Sequence, residues 1–415
     1  MYRAPRGTSD ILPKEQAHRR YIEQKVANIC QLYGYERIDA PAFEDTQLFT
    51  RSVGEDTDIV EKQMYTFQDR SGSQITLRPE GTAPVCRAYL EHGLHNLPQP
   101  VKLYYIASIF RYERPQAGRY RQHYQFGYEA IGDADPALDA EVIDMAWQFF
   151  ESLNLHHLSL QLNSIGCKIC RPGYLTALKD YYASYAHDLC SDCKTRLKRN
   201  PLRLLDCKKP LCQQIANSAP KSIDYLCQQC DTHFNQLKRY LELLELPFIV
   251  NHCLVRGLDY YTRTVFEIQP EAEGAQSTLG GGGRYDDLIE ELGGKPTPAI
   301  GFAAGIERII LNLKKQNIPV PALPKPQVFI AYVGNEAKDT AIKLTSTLRK
   351  NGIGIIEAAG SKSLKAQLRQ ANTLGVHHTV IIGDEEVKAS TVILRDMTTA
   401  QQQTIPAAQL PGLLK

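Results

Sequence analysis

The sequence of 415 residues has little net charge and no long apolar run. Its 48 lysine and arginine residues nearly balance 46 acidic residues, which leaves a formal charge of +2. Any contact with nucleic acid must therefore come from local patches, such as the basic run at 196–209, which alternatively forms a solvated helical face. No apolar stretch reaches the roughly 18 residues of a membrane span, and residues 1–6 lack the apolar core of a signal peptide. We expect a soluble, cytoplasmic protein.

The lack of an export signal bears on how the cysteines are used. Eleven cysteines in a chain that is not exported indicate reduced thiols or metal ligands rather than disulfides. Eight of them lie between residues 166 and 240, as the CxxC pairs Cys167/Cys170, Cys190/Cys193 and Cys227/Cys230 together with Cys207 and Cys212. Two such pairs would close one tetrahedral zinc site. A segment without metal is equally compatible with the sequence, which does not indicate which pairs would share an ion.

Residues 256–267, Arg-Gly-Leu-Asp-Tyr-Tyr-Thr-Arg-Thr-Val-Phe-Glu, concentrate polar groups in one strand-like turn. Arg256 stands beside a glycine and can bring a planar, bidentate donor close to a carboxylate or a phosphate. The hydroxyls of Tyr260 and Tyr261 can reach polar atoms of a small substrate. An edge strand with a solvated face is the alternative, but so dense a set of polar groups favours a ligand site.

Residues 110–125 predict the end of one strand, a loop and a second strand, because a proline and a glycine interrupt two aromatic-rich runs. Arg111 and Glu113 share one face of the predicted strand, since side chains alternate with a period of two. A cation and an acceptor on one face suit a nucleotide, with Arg111 on a phosphate and Glu113 accepting from a base amine. A nucleic-acid patch and a charged surface ribbon are the alternatives.

A third segment, residues 299–311, predicts a strand of small residues that turns into a helix, with Arg308 in its first turns. The helix dipole favours anions at that end, so a cation there is better explained by a phosphate that it faces. The alternative is an arginine whose stem extends along the surface of an amphipathic helix.

Together these segments resemble motifs 2 and 3 of the class II aminoacyl-tRNA synthetases. Residues 256–266 and two further runs narrow the resemblance to the histidyl-tRNA synthetases. The two runs are Leu-Arg-Pro-Glu-Gly-Thr at 77–82 and Gly-Gly-Gly-Gly-Arg-Tyr-Asp at 280–286. The resemblance covers nearly the whole chain, from Pro-Arg-Gly-Thr-Ser-Asp at 5–10 to the C-terminal domain.

The resemblance implies an α+β fold, with a class II synthetase-like antiparallel sheet flanked by helices, a helical insertion and a C-terminal α/β domain like an anticodon-binding domain. The residues agree with this, because strand-like runs recur at 74–77, 101–110, 124–130, 158–162 and 264–269 with few alternating βα units. We place the catalytic core at 1–165 and 241–318, the cysteine-rich insertion at 166–240 and the anticodon-binding domain at 327–415. Prolines between 319 and 326 indicate a stiff linker.

An amphipathic helix is predicted at 14–33, followed by a strand at 35–41. These elements occupy the place of motif 1, which forms the dimer interface in the family. The resemblance therefore implies a homodimer, since the periodicity alone shows only an amphipathic helix.

The resemblance also implies ATP-dependent attachment of L-histidine to tRNA(His) through a histidyl-adenylate, with release of pyrophosphate and AMP. Arg256 and Arg111 would be catalytic, because they would clamp the α-phosphate. Histidine would be bound by Glu80, Thr82, Gln125, Glu129, Tyr261 and Arg256. ATP, accompanied by Mg²⁺, would be bound by Arg111, Glu113, Arg119 and Arg308, and the acceptor end of the tRNA by Arg114 and Gln116. His123 stands where the family often has phenylalanine, which leaves the ring that stacks on adenine open.

Two rival functions fit parts of the pattern. The regulatory subunit of ATP phosphoribosyltransferase has the same core fold but does not charge tRNA. It usually lacks the C-terminal domain and the arginine corresponding to Arg256, and this chain has both. A class II synthetase for glycine, threonine or proline would not need Glu129 together with Tyr261.

Overall fold

The computed structural model describes residues 2–54, 57, 59–113, 120–271, 278–360 and 362–414. The chain divides into two compact units, Met1–Pro321 and Ala322–Lys415. The division falls within the proline-rich stretch that the sequence indicates as a linker. No helix in the described ranges is long and apolar enough to cross a membrane.

The first unit mixes strands and helices along its length. Its strands are β1 (Glu36–Arg37), β2 (Phe43–Asp45), β3 (Tyr65–Gln68), β4 (Gln74–Leu77), β5 (Val101–Phe110), β6 (Gln122–Ile131), β7 (Leu158–Ser164), β8 (Phe248–Val250), β9 (Thr262–Pro270), β10 (Gly280–Arg284) and β11 (Ala299–Gly305). Its helices are α1 (Gln16–Leu32), α2 (Thr46–Val53), α3 (Thr82–Glu91), α4 (Pro136–Ser152), α5 (Arg171–Ala183), α6 (Ser191–Arg199), α7 (Pro210–Asn217), α8 (Gln228–Leu243), α9 (Leu288–Glu291) and α10 (Ile306–Lys315).

The main sheet has the strand order β1-β5-β6-β11-β10-β9-β7-β8 over the part of the chain that the structure describes. The pairs from β5 to β7 are antiparallel. The two edge strands, β1 and β8, pair in parallel with their neighbours. A small sheet of order β2-β4-β3 lies apart from it. The antiparallel core that the sequence predicts is therefore present, with parallel pairing only at its edges.

Apolar and polar side chains alternate along β6, so one face of the sheet is packed and the other is polar. Phe126 and Tyr128 point into a hydrophobic core with residues of α1, α4 and α10, and the rings of Phe126 and Phe149 lie 5.0 Å apart. Burying one such aromatic side chain stabilises the fold by roughly 1.5–3 kcal/mol. Gln125 and Glu129 have the opposite parity, so they point to the other face, because successive strand residues alternate.

Helix α4 shows how local sequence fixes an element's start. The carboxylate of Asp135 accepts a hydrogen bond from the backbone N–H of Ala137 at 2.8 Å, and Pro136 occupies the first helical position. Helix α8 of the cysteine-rich segment packs against α4, with Phe234, Leu237 and Leu241 buried in the core. The insertion is thus anchored on the sheet's packed face by apolar residues at helical spacing.

Two local predictions are wrong. Residues 35–41 form a strand only at Glu36–Arg37. Strand β5 ends at Phe110, so Arg111 and Glu113 do not share a strand face. The N–H of Arg111 still donates across to the carbonyl of Arg121 at 2.9 Å, but the following N–H groups leave the ladder. That of Tyr112 donates to the carbonyl of Gln63 at 2.7 Å, and that of Glu113 donates to the carbonyl of Arg111 at 2.8 Å.

The second unit has its own core and a mixed sheet with helices, in agreement with the α/β domain that the resemblance implies. Its strands are β12 (Val328–Tyr332), β13 (Ile355–Glu357), β14 (His378–Ile382), β15 (Thr391–Asp396) and β16 (Gln402–Pro406), in the order β13-β12-β14-β15-β16. Its helices are α11 (Asn335–Lys350), α12 (Leu364–Leu374), α13 (Asp384–Ala389) and α14 (Leu410–Leu413). Strand β12 is parallel to β13 and β14, and the other pairs are antiparallel.

Candidate active site

A cavity of about 340 Å³ opens on the polar face of the main sheet. Nine of the residues that the sequence singled out line it: Glu80, Thr82, Arg111, Glu113, Gln125, Glu129, Arg256, Tyr261 and Arg308. They come from the ends of β5 and β6, the start of α3, the loop before β9 and the start of α10. Arg114, Gln116 and Arg119 lie outside the described residues.

Glu129 lines the cavity and is only 1% exposed. One of its carboxylate oxygens accepts a hydrogen bond from the hydroxyl of Thr82 at 2.8 Å, and the other accepts from the hydroxyl of Tyr285 at 2.6 Å. Its cross-strand partner is Gly301. A Cβ atom on that glycine would lie 1.7 Å from the carboxylate, so glycine is required to leave room for the acid.

Burial raises the pKa of Glu129 to about 8, although the hydrogen bonds from Tyr285 and Thr82 act in the opposite direction. At neutral pH the group therefore holds a proton for much of the time. A ligand N–H aimed at the carboxylate would favour its ionised form and lower the pKa. The pocket thus has an acid whose charge is coupled to ligand binding.

The raised pKa predicts a pH-dependent stability difference between the wild type and Glu129→Gln. The wild-type glutamic acid stays protonated in the fold from its ordinary pKa of 4.5 up to about 8, whereas the unfolded chain releases the proton. Below pH 4.5 the protonated side chain makes its full contribution to the free energy of unfolding. Between pH 4.5 and about 8 this contribution decreases, by up to about 1.4 kcal/mol per pH unit. We expect urea unfolding at pH 5.5, 6.5 and 7.5 to show that the wild type becomes progressively less stable relative to Glu129→Gln as pH rises. A constant difference would contradict the raised pKa.

Arg256 enters the cavity from the loop before β9. One terminal nitrogen of its guanidinium donates to the carboxylate of Glu267, which also accepts from the hydroxyl of Thr278 at 2.9 Å. The guanidinium carbon lies 5.6 Å from the centre of the Tyr261 ring. The Nε atom of Arg256 is buried and has no hydrogen-bond partner among the described residues, which leaves a donor for a ligand oxygen.

Arg111 reaches the same cavity from the end of β5. Its Nε atom donates to the carbonyl of Pro79 at 2.7 Å, which orients the guanidinium. Burial lowers the pKa of Arg111; the acidic groups of Glu113 and Glu80 raise it, and the charge of Arg256 lowers it further. An arginine stays protonated under such shifts. Arg111 and Arg256 therefore bring two guanidiniums into one cavity, where both could bind an anionic ligand.

A third arginine and a histidine also line the cavity. Arg308 is in the first turn of α10, as predicted, and one terminal nitrogen donates to the carbonyl of Thr278 at 2.7 Å. Burial, reinforced by the charges of Arg111 and Arg308, lowers the pKa of His123 to about 3. The imidazole is thus a neutral, flat ring at neutral pH. It lines the cavity together with Tyr120 and Phe302.

Glu80 has partners within the protein. Its carboxylate accepts from the backbone N–H groups of Thr82 and Ala83 at 2.7 and 2.8 Å, which satisfies open donors at the start of α3. The hydroxyl of Tyr260 donates to it at 3.4 Å. Glu80 therefore fixes this helix start in the cavity wall, and the helix carries Thr82 with it.

Sequence reasoning missed three residues of the glycine-rich and arginine-containing runs. Tyr285 donates to Glu129, and Glu267 holds Arg256. Arg284 is fully buried and pairs with Asp139 at 2.6 Å behind the cavity. All three stand in runs that carried the resemblance, so the signal was present. The sequence did not show the cross-strand register that brings these residues to their partners.

Comparison with known proteins bears directly on this site. Residues 7–168 and 197–309 match the family model described as histidyl-tRNA synthetase, and residues 327–415 match the model of an anticodon binding domain. A histidine–tRNA ligase of Dehalococcoides mccartyi is 63% identical over 410 residues, which cover 99% of this chain and 98% of the relative. The chain belongs to the histidyl-tRNA synthetase family.

Further members of the family agree with this assignment. The histidine–tRNA ligase of Desulforamulus reducens is 50% identical over 411 residues, covering 99% of this chain and 98% of the relative. The crystal structure of apo histidyl-tRNA synthetase from S. aureus superposes with a TM-score of 0.82 at 39% identity, and each chain is covered completely. The predicted fold, an antiparallel catalytic sheet followed by a C-terminal α/β domain, is confirmed.

Fold alone does not separate the rival functions within this family. A Bacillus halodurans C protein titled ATP phosphoribosyltransferase regulatory subunit/histidyl-tRNA synthetase has a TM-score of 0.65 at 23% identity, over 92% of this chain. Likeness at that identity shows the common fold only. The close sequence matches to histidine–tRNA ligases over the full length favour a synthetase over a regulatory subunit.

Proposed function

We propose that this member of the histidyl-tRNA synthetase family is a histidine–tRNA ligase, which attaches L-histidine to tRNA(His) at the expense of ATP. One observation carries the proposal: a single cavity is lined by the buried carboxylate of Glu129, by Tyr261 and Tyr285, and by three arginines, Arg111, Arg256 and Arg308. The carboxylate and the tyrosines suit an imidazole, and the arginines suit a triphosphate. The full-length identity to histidine–tRNA ligases supports the same conclusion.

Histidine selection follows from the two nitrogens of the ring. Neutral imidazole has one N–H donor and one acceptor nitrogen, so a pocket with an acceptor and a hydroxyl can satisfy both. Glu129 accepts from the N–H, and the hydroxyl of Tyr261 meets the other nitrogen. An amino acid that leaves these buried groups unpaired is rejected by about 10⁴ to 10⁵, so no editing site is needed. Thr82, Glu80 and Gln125 line the side where the α-amino group lies.

The first reaction forms the adenylate. A carboxylate oxygen of histidine attacks the α-phosphorus of ATP, the new O–P bond forms, and the bond to pyrophosphate breaks. Arg111 and Arg256 stabilise the negative charge that develops on the equatorial oxygens, and the buried Nε of Arg256 supplies an unused donor. Arg308 and Arg119 bind the β- and γ-phosphates, and Glu113 accepts from the adenine amine. Mg²⁺ comes with ATP and is held mostly through phosphate oxygens and water.

The second reaction transfers histidine to tRNA. A hydroxyl of the terminal ribose attacks the carbonyl carbon of the adenylate, its proton is lost, and AMP leaves. Arg114 and Gln116 contact the acceptor end, and the second unit, which matches an anticodon binding domain, contacts the anticodon. The proposal includes a homodimer, with α1 and β1 at the place of the family's interface, and a cytoplasmic location.

The decisive experiment is ATP–pyrophosphate exchange measured with each of the twenty amino acids. We expect exchange with histidine alone, followed by AMP release and charging when tRNA(His) is added. Exchange with glycine, threonine or proline would contradict the proposal and would indicate a class II synthetase for that amino acid. No exchange with any amino acid, in a folded protein, would favour a regulatory role.

A further inference from the structure

Eight cysteines of the insertion gather into two separate groups of four. One group is Cys167, Cys170, Cys227 and Cys230, and the other is Cys190, Cys193, Cys207 and Cys212. Within each group the sulfur atoms all lie within 4.8 Å of one another. The sequence left the pairing open, and the folded chain selects one pairing: the first CxxC pair joins the last, and the middle pair joins the two single cysteines.

The distances between sulfur atoms fit one metal ion per group. A tetrahedron with Zn–S bonds of about 2.3 Å has sulfur–sulfur edges of about 3.8 Å. The Sγ atoms of Cys167 and Cys170 are 3.8 Å apart, those of Cys167 and Cys227 are 3.9 Å apart, and those of Cys190 and Cys207 are 3.9 Å apart. A disulfide would require about 2.05 Å. All eight thiols are free.

The backbone around the sulfur atoms is arranged for a metal-bound thiolate. The N–H of Ile169 points at the Sγ of Cys167 at 3.4 Å, and the N–H of Cys190 points at the Sγ of Cys212 at 3.5 Å. Such donors stabilise sulfur that carries negative charge. Gly166 has a φ of +71°, and a Cβ there would lie 2.8 Å from the Sγ of Cys170. A side chain at this position would therefore disturb the group.

We propose that the insertion binds two structural zinc ions, one in each four-cysteine group. Four thiolates leave no open position for water or substrate, so both sites are structural and not catalytic. The first site joins the two ends of the insertion, since its cysteines follow β7 at one end and begin α8 at the other. The second closes a turn within the insertion around α6 and α7.

The zinc sites are connected to the loop that carries Arg256. Next to the first site, the guanidinium of Arg171 donates to the carbonyl of Tyr261, and the N–H of Arg263 donates to the carbonyl of Gly166 at 2.9 Å. Between the cysteines of the second site, the amide of Asn200 donates to the carboxylate of Asp259 at 2.8 Å. Both ions thus support the insertion where it packs on the wall of the cavity.

Metal analysis tests the proposal without any activity assay. Protein purified under reducing conditions and without chelators is expected to contain two zinc ions per chain. X-ray absorption at the zinc edge is expected to show four sulfur ligands at about 2.3 Å. Fewer than about 0.2 zinc per chain, iron in place of zinc, or nitrogen and oxygen ligands would overturn it. These outcomes do not depend on whether the protein charges tRNA with histidine, and they need no variant.

Double variants test the pairing. Cys167→Ser with Cys230→Ser removes two ligands of one group, and Cys190→Ser with Cys212→Ser removes two of the other, so each variant should retain one zinc. The crossed variant, Cys167→Ser with Cys190→Ser, should lose both ions. If the crossed variant retained one ion while the others lost two, the pairing would be wrong. The control is Cys253→Ala, outside both groups, which should keep two.

Discussion

Replacing Arg256 with alanine is expected to lower kcat for histidine-dependent ATP–pyrophosphate exchange by about 10²- to 10³-fold, with a smaller change in the KM for histidine. The physical reason is that a fixed donor aimed at charge that develops in the transition state acts mainly on the chemical step. The buried Nε of Arg256 has no hydrogen-bond partner among the described residues, and Glu267 holds the guanidinium in place, so we expect Nε to be this donor. Arg256→Lys should recover only part of the loss, because lysine keeps the charge but not the planar fork.

A matched arginine shows whether the loss is specific. Arg87 also forms close ion pairs, with Glu44 and Glu91, but it lies on α3 outside the cavity. Arg87→Ala should leave exchange within about twofold, since such pairs are worth about 1 kcal/mol or less and act on stability. An unchanged kcat in Arg256→Ala would refute the catalytic role of Arg256.

Adding one methyl group at Gly301 is expected to raise the KM for histidine by about ten- to a hundredfold, with little change in the KM for ATP. The new Cβ would stand 1.7 Å from the Glu129 carboxylate, which must move. Loss of one hydrogen bond to a charged group costs about 1.5–3 kcal/mol, and each 1.4 kcal/mol is about tenfold in affinity. The dependence of exchange on histidine and ATP concentrations measures both constants.

The control substitution makes the same change where there is space. A Cβ at Gly173, in α5, meets nothing within 4 Å, so Gly173→Ala should leave both constants unchanged. If Gly301→Ala bound histidine normally, or if it raised the KM for ATP as much as that for histidine, Glu129 would not be the group that recognises the imidazole.

Periodicity predicted the fold well where elements are long and half-buried. The predicted strand at 101–110 coincides with β5, and the predicted helix at 14–33 extends beyond α1 (Gln16–Leu32) by only two residues at its start and one at its end. It failed at 35–41, where only Glu36 and Arg37 find a partner strand. It also missed β16, a polar edge strand in which Ile405 alone is buried. The length of a strand depends on the strand with which it pairs, and a local sequence pattern carries no information about that partner.

The candidate site was predictable in its residue types but not in its internal contacts. Arg111 and Glu113 line the cavity even though the strand-face reasoning that joined them is wrong, because both follow directly on the end of β5 beside the cavity. Tyr285 lies 156 positions from Glu129, and only the register of β6, β11 and β10 brings them together. Likewise, the pairing of the cysteines depends on how the insertion folds back, since Cys167 and Cys227 are 60 positions apart.

The central claim is that Arg111 and Arg256 act on one phosphorus while Glu129 and Tyr261 read the imidazole. A crystal structure with histidine and an ATP analogue that cannot release pyrophosphate tests it most directly. We predict both guanidiniums within about 2.7–3.2 Å of oxygens on the α-phosphate, and one ring nitrogen on each of Glu129 and Tyr261. Guanidiniums bound to different groups, or an imidazole away from Glu129, would contradict the account.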